Sequence, residues 1–254
     1  ARLPKCSALR RERWTRESFG HAASYRTNAT ASVLQDSLMP RSLLSMQLLL
    51  ATNNGHKRAE FESIFPDAVI VTPSDLGLEF DVEETGASFL ENAVLKARAL
   101  ETALRQGPAS RAATAIIADD SGLCVDALGG GPGVYSARFG SPDGGTTELA
   151  AAARNSLLLD SIAGAPTRAA HFVCCMVALL PGDRLIVAQE SWHGEIAHEP
   201  SQGTGGFGYD PVFYLPELGR TAAELEPQEK NRLSHRGRAS AVLASALGRA
   251  ELLP

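Results

Sequence analysis

The sequence predicts an α/β domain, and three observations carry that expectation. Short apolar runs of strand length alternate with longer Ala/Leu-rich or amphipathic runs of helix length. Residues 171–180, closed by Pro181-Gly182-Asp183 and followed by 185–192, predict a β-hairpin. The chain has 254 residues and is 44% hydrophobic, ample for one large domain or two small lobes. No uninterrupted apolar run approaches the ~20 residues of a spanning helix, so no membrane partner is expected. The net charge of -5 likewise argues against a general nucleic-acid binder.

That charge is unevenly placed. Residues 1–45 carry eight Lys/Arg against three Asp/Glu, whereas 46–254 carry 16 basic and 26 acidic residues. The leader is rich in Arg, Ser and Thr and lacks apolar periodicity, so it is expected to be a disordered N-terminal extension, with the folded domain spanning 46–254. Met46 directly precedes the first strand and suits a natural start there. An organelle transit peptide is the alternative, weakened by Glu12, Glu17 and Asp36. Cys6, Cys124, Cys174 and Cys175 show no CxxC spacing, which fits a reducing, cytoplasmic compartment.

The first strand, 47–51, runs into Thr52-Asn53-Asn54-Gly55-His56-Lys57, after which a helix places Phe61, Ile64 and Phe65 on one side. A polar, Gly-containing turn at a helix start presents backbone N–H groups to phosphate oxygens, and Lys57 adds charge. The GxxxxGK[ST] spacing of a P-loop is missing. A second strand, 68–72, leads through Pro73-Ser74-Asp75-Leu76-Gly77 towards Glu83-Glu84-Thr85-Gly86. Ser88 and Glu91 form a capping-box pattern for a helix running to about residue 105. Glu83 and Glu84 either answer that helix's dipole or face a metal.

At the centre, the apolar run 115–118 has the composition of a buried strand and ends in two adjacent carboxylates, Asp119 and Asp120, followed by Ser121-Gly122. Two such acids repel each other and are costly to desolvate unless cations or donors compensate. A divalent metal would do so; an Asp-Ser-Gly turn closing the strand is the alternative. The run Gly129-Gly130-Gly131-Pro132-Gly133 is either a tight turn or a close approach of the chain to a cleft. A helix over 147–159 and the hairpin follow. His171, His193 and His198 lack metal-ligand spacing, so no zinc site is assigned. Four glycines around Phe207, in Gly203-Thr204-Gly205-Gly206-Phe207-Gly208-Tyr209-Asp210, permit close backbone approach to a flat ligand on which Phe207 can stack. Ser234-His235-Arg236-Gly237 precedes a last helix, 238–247, and either reads a base edge or caps that helix.

Taken in order, Thr52 to Lys57, Glu83-Glu84-Thr85-Gly86 with Phe89 and Glu91-Asn92-Ala93, Ala118-Asp119-Asp120-Ser121-Gly122-Leu123, residues 130–138, Gly206-Phe207-Gly208-Tyr209-Asp210-Pro211 and Ser234-His235-Arg236-Gly237 resemble the inosine triphosphate pyrophosphatase family. The likeness is to its bacterial non-canonical purine nucleoside triphosphate pyrophosphatases, of the RdgB/HAM1 type, over nearly all of 46–254. It implies an ITPase-like α/β fold, two lobes around a long central mixed β-sheet with a substrate cleft between them, and a homodimer. The implied activity is hydrolysis of dITP, ITP and XTP to the monophosphate and pyrophosphate. By the family's pattern Thr52, Asn53, Asn54, Gly55, His56 and Lys57 hold the triphosphate, Glu83 and Asp120 bind Mg2+, and Asp120 is the base that activates water. Ser121, Phe207, Gly208, Tyr209, Asp210, Lys230, His235 and Arg236 complete the substrate-binding set. Asn53 stands where many relatives have glycine, which would restrict the phosphate loop.

Donors such as His235 or Arg236 would favour the 6-oxo group of a deaminated purine over the amine of adenine. Guanine shares that oxo group, so its exclusion must come from the 2-position. Two alternatives compete. A Maf-like pyrophosphatase of other nucleotides would share the reaction, but its motif order is not found here. A non-catalytic nucleotide-binding regulator would keep the pocket, and Lys57, Glu83 and Asp120 argue against it.

Overall fold

The computed structural model describes residues 47–66, 68–106, 115–142 and 148–250; the extension expected at 1–45 and the expected helix start at Thr147 lie outside them. Strands β1 (Gln47–Leu50), β2 (Val69–Val71), β3 (Ile116–Val125), β4 (Ala169–Leu180), β5 (Arg184–Ile196), β6 (Phe213–Leu215) and β7 (Arg220–Thr221) form one sheet. Their order is β2-β1-β3-β4-β5-β6-β7. The β1 strand is parallel to β2 and β3, and all later pairings are antiparallel. The expected hairpin is β4–β5, paired over their full lengths from Ala169↔Glu195 to Leu180↔Arg184.

Helices α1 (Gly55–Ile64), α2 (Phe89–Gln106), α3 (Ala151–Ser161), α4 (Pro227–Leu233) and α5 (His235–Ala250) cover the sheet. Side chains alternate across a strand, so each strand feeds two cores. On one face Leu48, Leu50, Ile117, Cys174 and Met176 meet Phe61 of α1, its C-cap Phe65, and Leu243 and Leu247 of α5. Further along that face Leu123, Phe172, Trp192 and Phe213 meet Leu158 of α3 and its C-cap Ile162. The opposite face packs Leu49, Ile116, Val177 and Leu179 against Ala93, Ala97, Leu100 and Leu104 of α2. Three cores thus share one sheet, and the described residues pack as one unit. No described helix is long and apolar enough to cross a membrane.

The strand reading for 115–118 was too short. Asp119, Asp120, Ser121 and Gly122 do not close the strand in a turn; β3 continues to Val125, paired with β4 from Ile116↔Leu179 to Val125↔Ala170. Its partner overrides the local turn propensity of Ser-Gly. Gly122 is needed for close approach: a Cβ there would lie 2.2 Å from the Gly133 carbonyl oxygen and 2.6 Å from Ser136 Oγ. The glycine run 129–133 folds the chain back onto β3, with the Val125 N–H donating to Gly131 O (2.9 Å) and the Leu123 N–H to Ser136 Oγ (2.8 Å). Helix α4 and the short strands β6 and β7 carry too few apolar positions to announce themselves by periodicity.

Replacing Gly122 by Ala forces Gly133 and Ser136 off β3. Thermal or urea unfolding of Gly122→Ala should show a loss of about 1–3 kcal/mol, the usual cost of overpacking.

Candidate active site

The end of β1 and the start of α1 build the first wall. Asn54 is the N-cap of α1: its Oδ1 accepts the N–H groups of His56 (2.9 Å) and Lys57 (3.2 Å), while Thr52 Oγ1 accepts that of Asn54 (3.1 Å). Three amides expected to await phosphate are thus already satisfied within the loop. Asn53 donates from Nδ2 to the Phe80 carbonyl, tying this loop to the segment before α2. Among the described residues the one non-glycine with positive φ is Asp183, so Asn53 adopts no backbone conformation that would call for glycine.

Alternation along β3 separates the two carboxylates. Asp119 faces α1 and α5, where Lys57 Nζ reaches its Oδ1 at 3.1 Å and Arg236 Nη2 its Oδ2 at 3.1 Å. Burial opposes its charge, but Lys57 and Arg236 outweigh that cost and hold Asp119 well below the ordinary carboxylate range. Asp120 faces α2. Lys96 Nζ donates to its Oδ1 at 2.9 Å and Asn92 Nδ2 to its Oδ2 at 3.2 Å. Burial, joined by the nearby charge of Glu84, pushes Asp120 up against the pull of Lys96.

Lys96 also pairs with Glu84 Oε1 at 2.7 Å, so one ammonium bridges two carboxylates. Burial works against the Lys96 charge, yet the surrounding Asp120, Asp119 and Glu84 raise its pKa. Asn92 Oδ1 accepts the Gly86 N–H (2.8 Å), Ser88 Oγ that of Glu91 (3.2 Å) and Glu91 Oε2 that of Ala87 (2.6 Å). These bonds fix the segment bearing Glu83 and Glu84 to the start of α2. Glu83 is exposed and lines the cleft; Glu84, half-buried, makes the contact with Lys96.

The third wall comes from residues 206–210, α4 and α5. Asp210 Oδ2 accepts the Phe207 N–H (2.6 Å) and Lys230 Nζ (2.8 Å), so this carboxylate shapes the loop from inside. Gly206 has φ +71°, and a Cβ there would sit 2.1 Å from that same oxygen. Lys230 and Arg236 both reach Glu60 of α1, and Arg236 Nη2 donates to Ser121 Oγ at 2.9 Å. Phe207 stacks on His56 at 5.4 Å, with Lys230 Nζ 5.4 Å and Arg236 Cζ 5.8 Å from its ring centre. A base stacking on Phe207 must therefore use its other face or displace His56. Tyr209 is buried and donates its hydroxyl to Ser136 O (2.8 Å). His235 lies flat against Phe172, ring centres 4.8 Å apart, at the first position of α5.

These walls enclose a cleft of about 870 Å³, large enough for a nucleotide. It is lined by Thr52, Asn53, Asn54, His56, Lys57, Glu83, Asp120, Ser121, Phe207, Gly208, Tyr209, Asp210, Lys230, His235 and Arg236. Of the residues proposed from sequence, Gly55 alone is outside the lining; it is the first residue of α1. Three participants were missed. Lys96 and Asn92 sit four apart on the buried stripe of α2, with Ala93, Ala97 and Leu100, and polar residues on an apolar stripe were the available signal. Glu60, on α1, offered none.

The model of the Ham1 family matches residues 48–246. The chain belongs to the Ham1 family. It is 45% identical over 194 residues to a dITP/XTP pyrophosphatase of Treponema denticola, covering 76% of this chain and 94% of that one. A dITP/XTP pyrophosphatase of Ralstonia nicotianae is 46% identical over 206 residues, covering 79% and 96%. Among solved structures, a HAM1 protein from Coxiella burnetii is 36% identical with a TM-score of 0.68, covering 80% of this chain and 99% of its own. The Staphylococcus aureus Ham1 protein is 39% identical with the same TM-score and coverage. The ITPase-like fold expected from the motifs is the fold of this chain.

His235 supplies a stability signature. Burial, then the charges of Arg236 and Lys230, hold its pKa well below the ordinary histidine value. A depressed histidine leaves stability complete above the unfolded pKa of ~6.5 and removes it as pH falls below that value, because only the unfolded chain takes up the proton. Urea unfolding should therefore lose up to about 1.4 kcal/mol per pH unit below ~6.5 through this residue, and His235→Phe should flatten the dependence by that amount.

Proposed function

We propose that this chain hydrolyses the non-canonical purine nucleoside triphosphates dITP, ITP and XTP to the nucleoside monophosphate and pyrophosphate. The observation that carries the reading is the placement of Asp120, a buried carboxylate pushed upward and held by Lys96 and Asn92, at the wall of a cleft whose other residues fit a nucleotide. Family membership and the activity printed for the relatives support it.

In this reading Asp120 takes a proton from the water that attacks the α-phosphorus. The bond from that phosphorus to the bridging oxygen breaks, and pyrophosphate leaves with the electron pair. A base with a raised pKa is a better proton acceptor than an ordinary aspartate, and Lys96 keeps it ionised and oriented. Lys57 stands across β3 from Asp120, bound to Asp119, where its charge offsets the triphosphate. Phe207 stacks on the base, and His235 and Arg236 favour a 6-oxo acceptor.

Magnesium fits the donor set. Asp120 offers a carboxylate oxygen beside Glu84, both paired with the Lys96 ammonium, and Glu83 lies on the same cleft. No group of three His, Cys, Asp or Glu among the described residues could hold a metal, so substrate and water oxygens would complete its shell, as is usual for magnesium. When bound, the ion supplies Lewis-acid stabilisation of charge on the phosphoryl oxygens. Magnesium dependence and a homodimer belong to the same proposal and come from the family resemblance, and a cytoplasmic location comes from the cysteine pattern.

Pyrophosphate release from dITP, XTP, dTTP, ATP and GTP, with magnesium and after chelation, tests the reading. Strong turnover of dITP and XTP only is expected, lost on chelation and reduced at least about a hundredfold in Asp120→Asn. Equal turnover of ATP, or an unimpaired Asp120→Asn, refutes it. Lys96→Met removes the cation that draws Asp120 down, so the acidic limb of its kcat/KM profile should move to higher pH.

A further inference from the structure

Three buried side-chain atoms among the described residues lack a hydrogen-bond partner: His235 Nδ1, Arg154 Nε and Asn155 Oδ1. They are not scattered. His235 and Arg154 both line the cleft, and Asn155 donates from Nδ2 to the carbonyl of Gly208, which lines it too (3.1 Å). An unpaired buried donor is costly, so a cluster at one cleft marks where a polar ligand belongs.

Arg154, on α3, is 8% exposed. Its Nη1 donates to Ala137 O at 2.6 Å, and its Cζ lies 5.2 Å from the ring centre of Tyr209. The cations on the other wall differ. Lys230 and Arg236, which approach Phe207, are bound to Asp210, Glu60 and Asp119. None of the ion pairs among the described residues includes Arg154. From the α3 side the cleft is thus lined by a guanidinium whose Nε–H has no partner. Guanidinium carries donors and no acceptor; it rewards an oxygen and penalises an amine.

We propose that Arg154 is a specificity-determining residue that reads the 2-position of the purine, favouring the 2-oxo group of xanthine and rejecting the 2-amino group of guanine. This rests on the pyrophosphatase reading, in which His235 and Arg236 take the 6-position. Hypoxanthine, with hydrogen at carbon 2, gains and loses nothing there.

The test compares kcat/KM for XTP, ITP and GTP in the wild type, Arg154→Met and Arg154→Gln. Ratios between substrates do not depend on the fraction of protein that folds, and the glutamine variant keeps a polar side chain should methionine prevent folding. The XTP/ITP ratio should fall about tenfold or more in either variant, the size of one charge-assisted hydrogen bond, and the GTP/ITP ratio should rise. Equal losses on all three substrates would assign Arg154 to holding Tyr209 and overturn the proposal. A wild type inactive on both ITP and XTP would overturn the pyrophosphatase reading itself, and this inference with it.

Discussion

A chain of alternating charges holds this molecule's working parts in place. It runs from Lys57 to Asp119, Arg236, Glu60, Lys230 and Asp210, linking α1, β3, α5, α4 and the loop before β6. Buried ions are expensive to desolvate, and removing one partner of such a pair typically costs about 3–5 kcal/mol because the other charge is left stranded. Each member therefore constrains the next. The loop bearing Phe207 takes its shape from Asp210, which is held by Lys230, which shares Glu60 with Arg236. Positions far apart in the chain are made mutually dependent by electrostatics rather than by backbone.

Adjacent acids in one strand would be untenable on one side of it. Because β3 presents Asp119 and Asp120 to opposite faces, each acid obtains its own cations, and the same physics gives them opposite characters. Asp119, between Lys57 and Arg236, is locked as an anion and serves as scaffold. Asp120, beside one lysine and near Glu84, is pushed the other way, as suits the proton-accepting role proposed for it.

Much of this was legible in the sequence. Periodicity located β1, α2 and the β4–β5 hairpin, since long apolar runs and a capping pattern are local signals. The motifs that line the cleft were visible as motifs because each clusters within a few residues. The continuation of β3 through Asp-Asp-Ser-Gly was not visible, because β4, some fifty residues later, is what makes it a strand. Lys96 left only the trace of a polar residue on the apolar stripe of α2, and Glu60 was hidden: a glutamate in a helix has a solvated face as its ordinary fate, and only the packed structure shows that this one points inward. Arg154 was hidden for the same reason.

The β3–β4 ladder has ten consecutive pairs, and their register decides more than packing. A strand has a side-chain period of two, so a slip of one residue exchanges its faces. In this chain the exchange would hand the acid meant for Lys96 to Lys57 and Arg236, and strand length and composition would not reveal it. Inserting a single residue between Ile116 and Asp119 would thus present the wrong carboxylate to Lys96. The spacing of this strand is consequently a chemical quantity, in which parity along the backbone determines which cations each carboxylate meets.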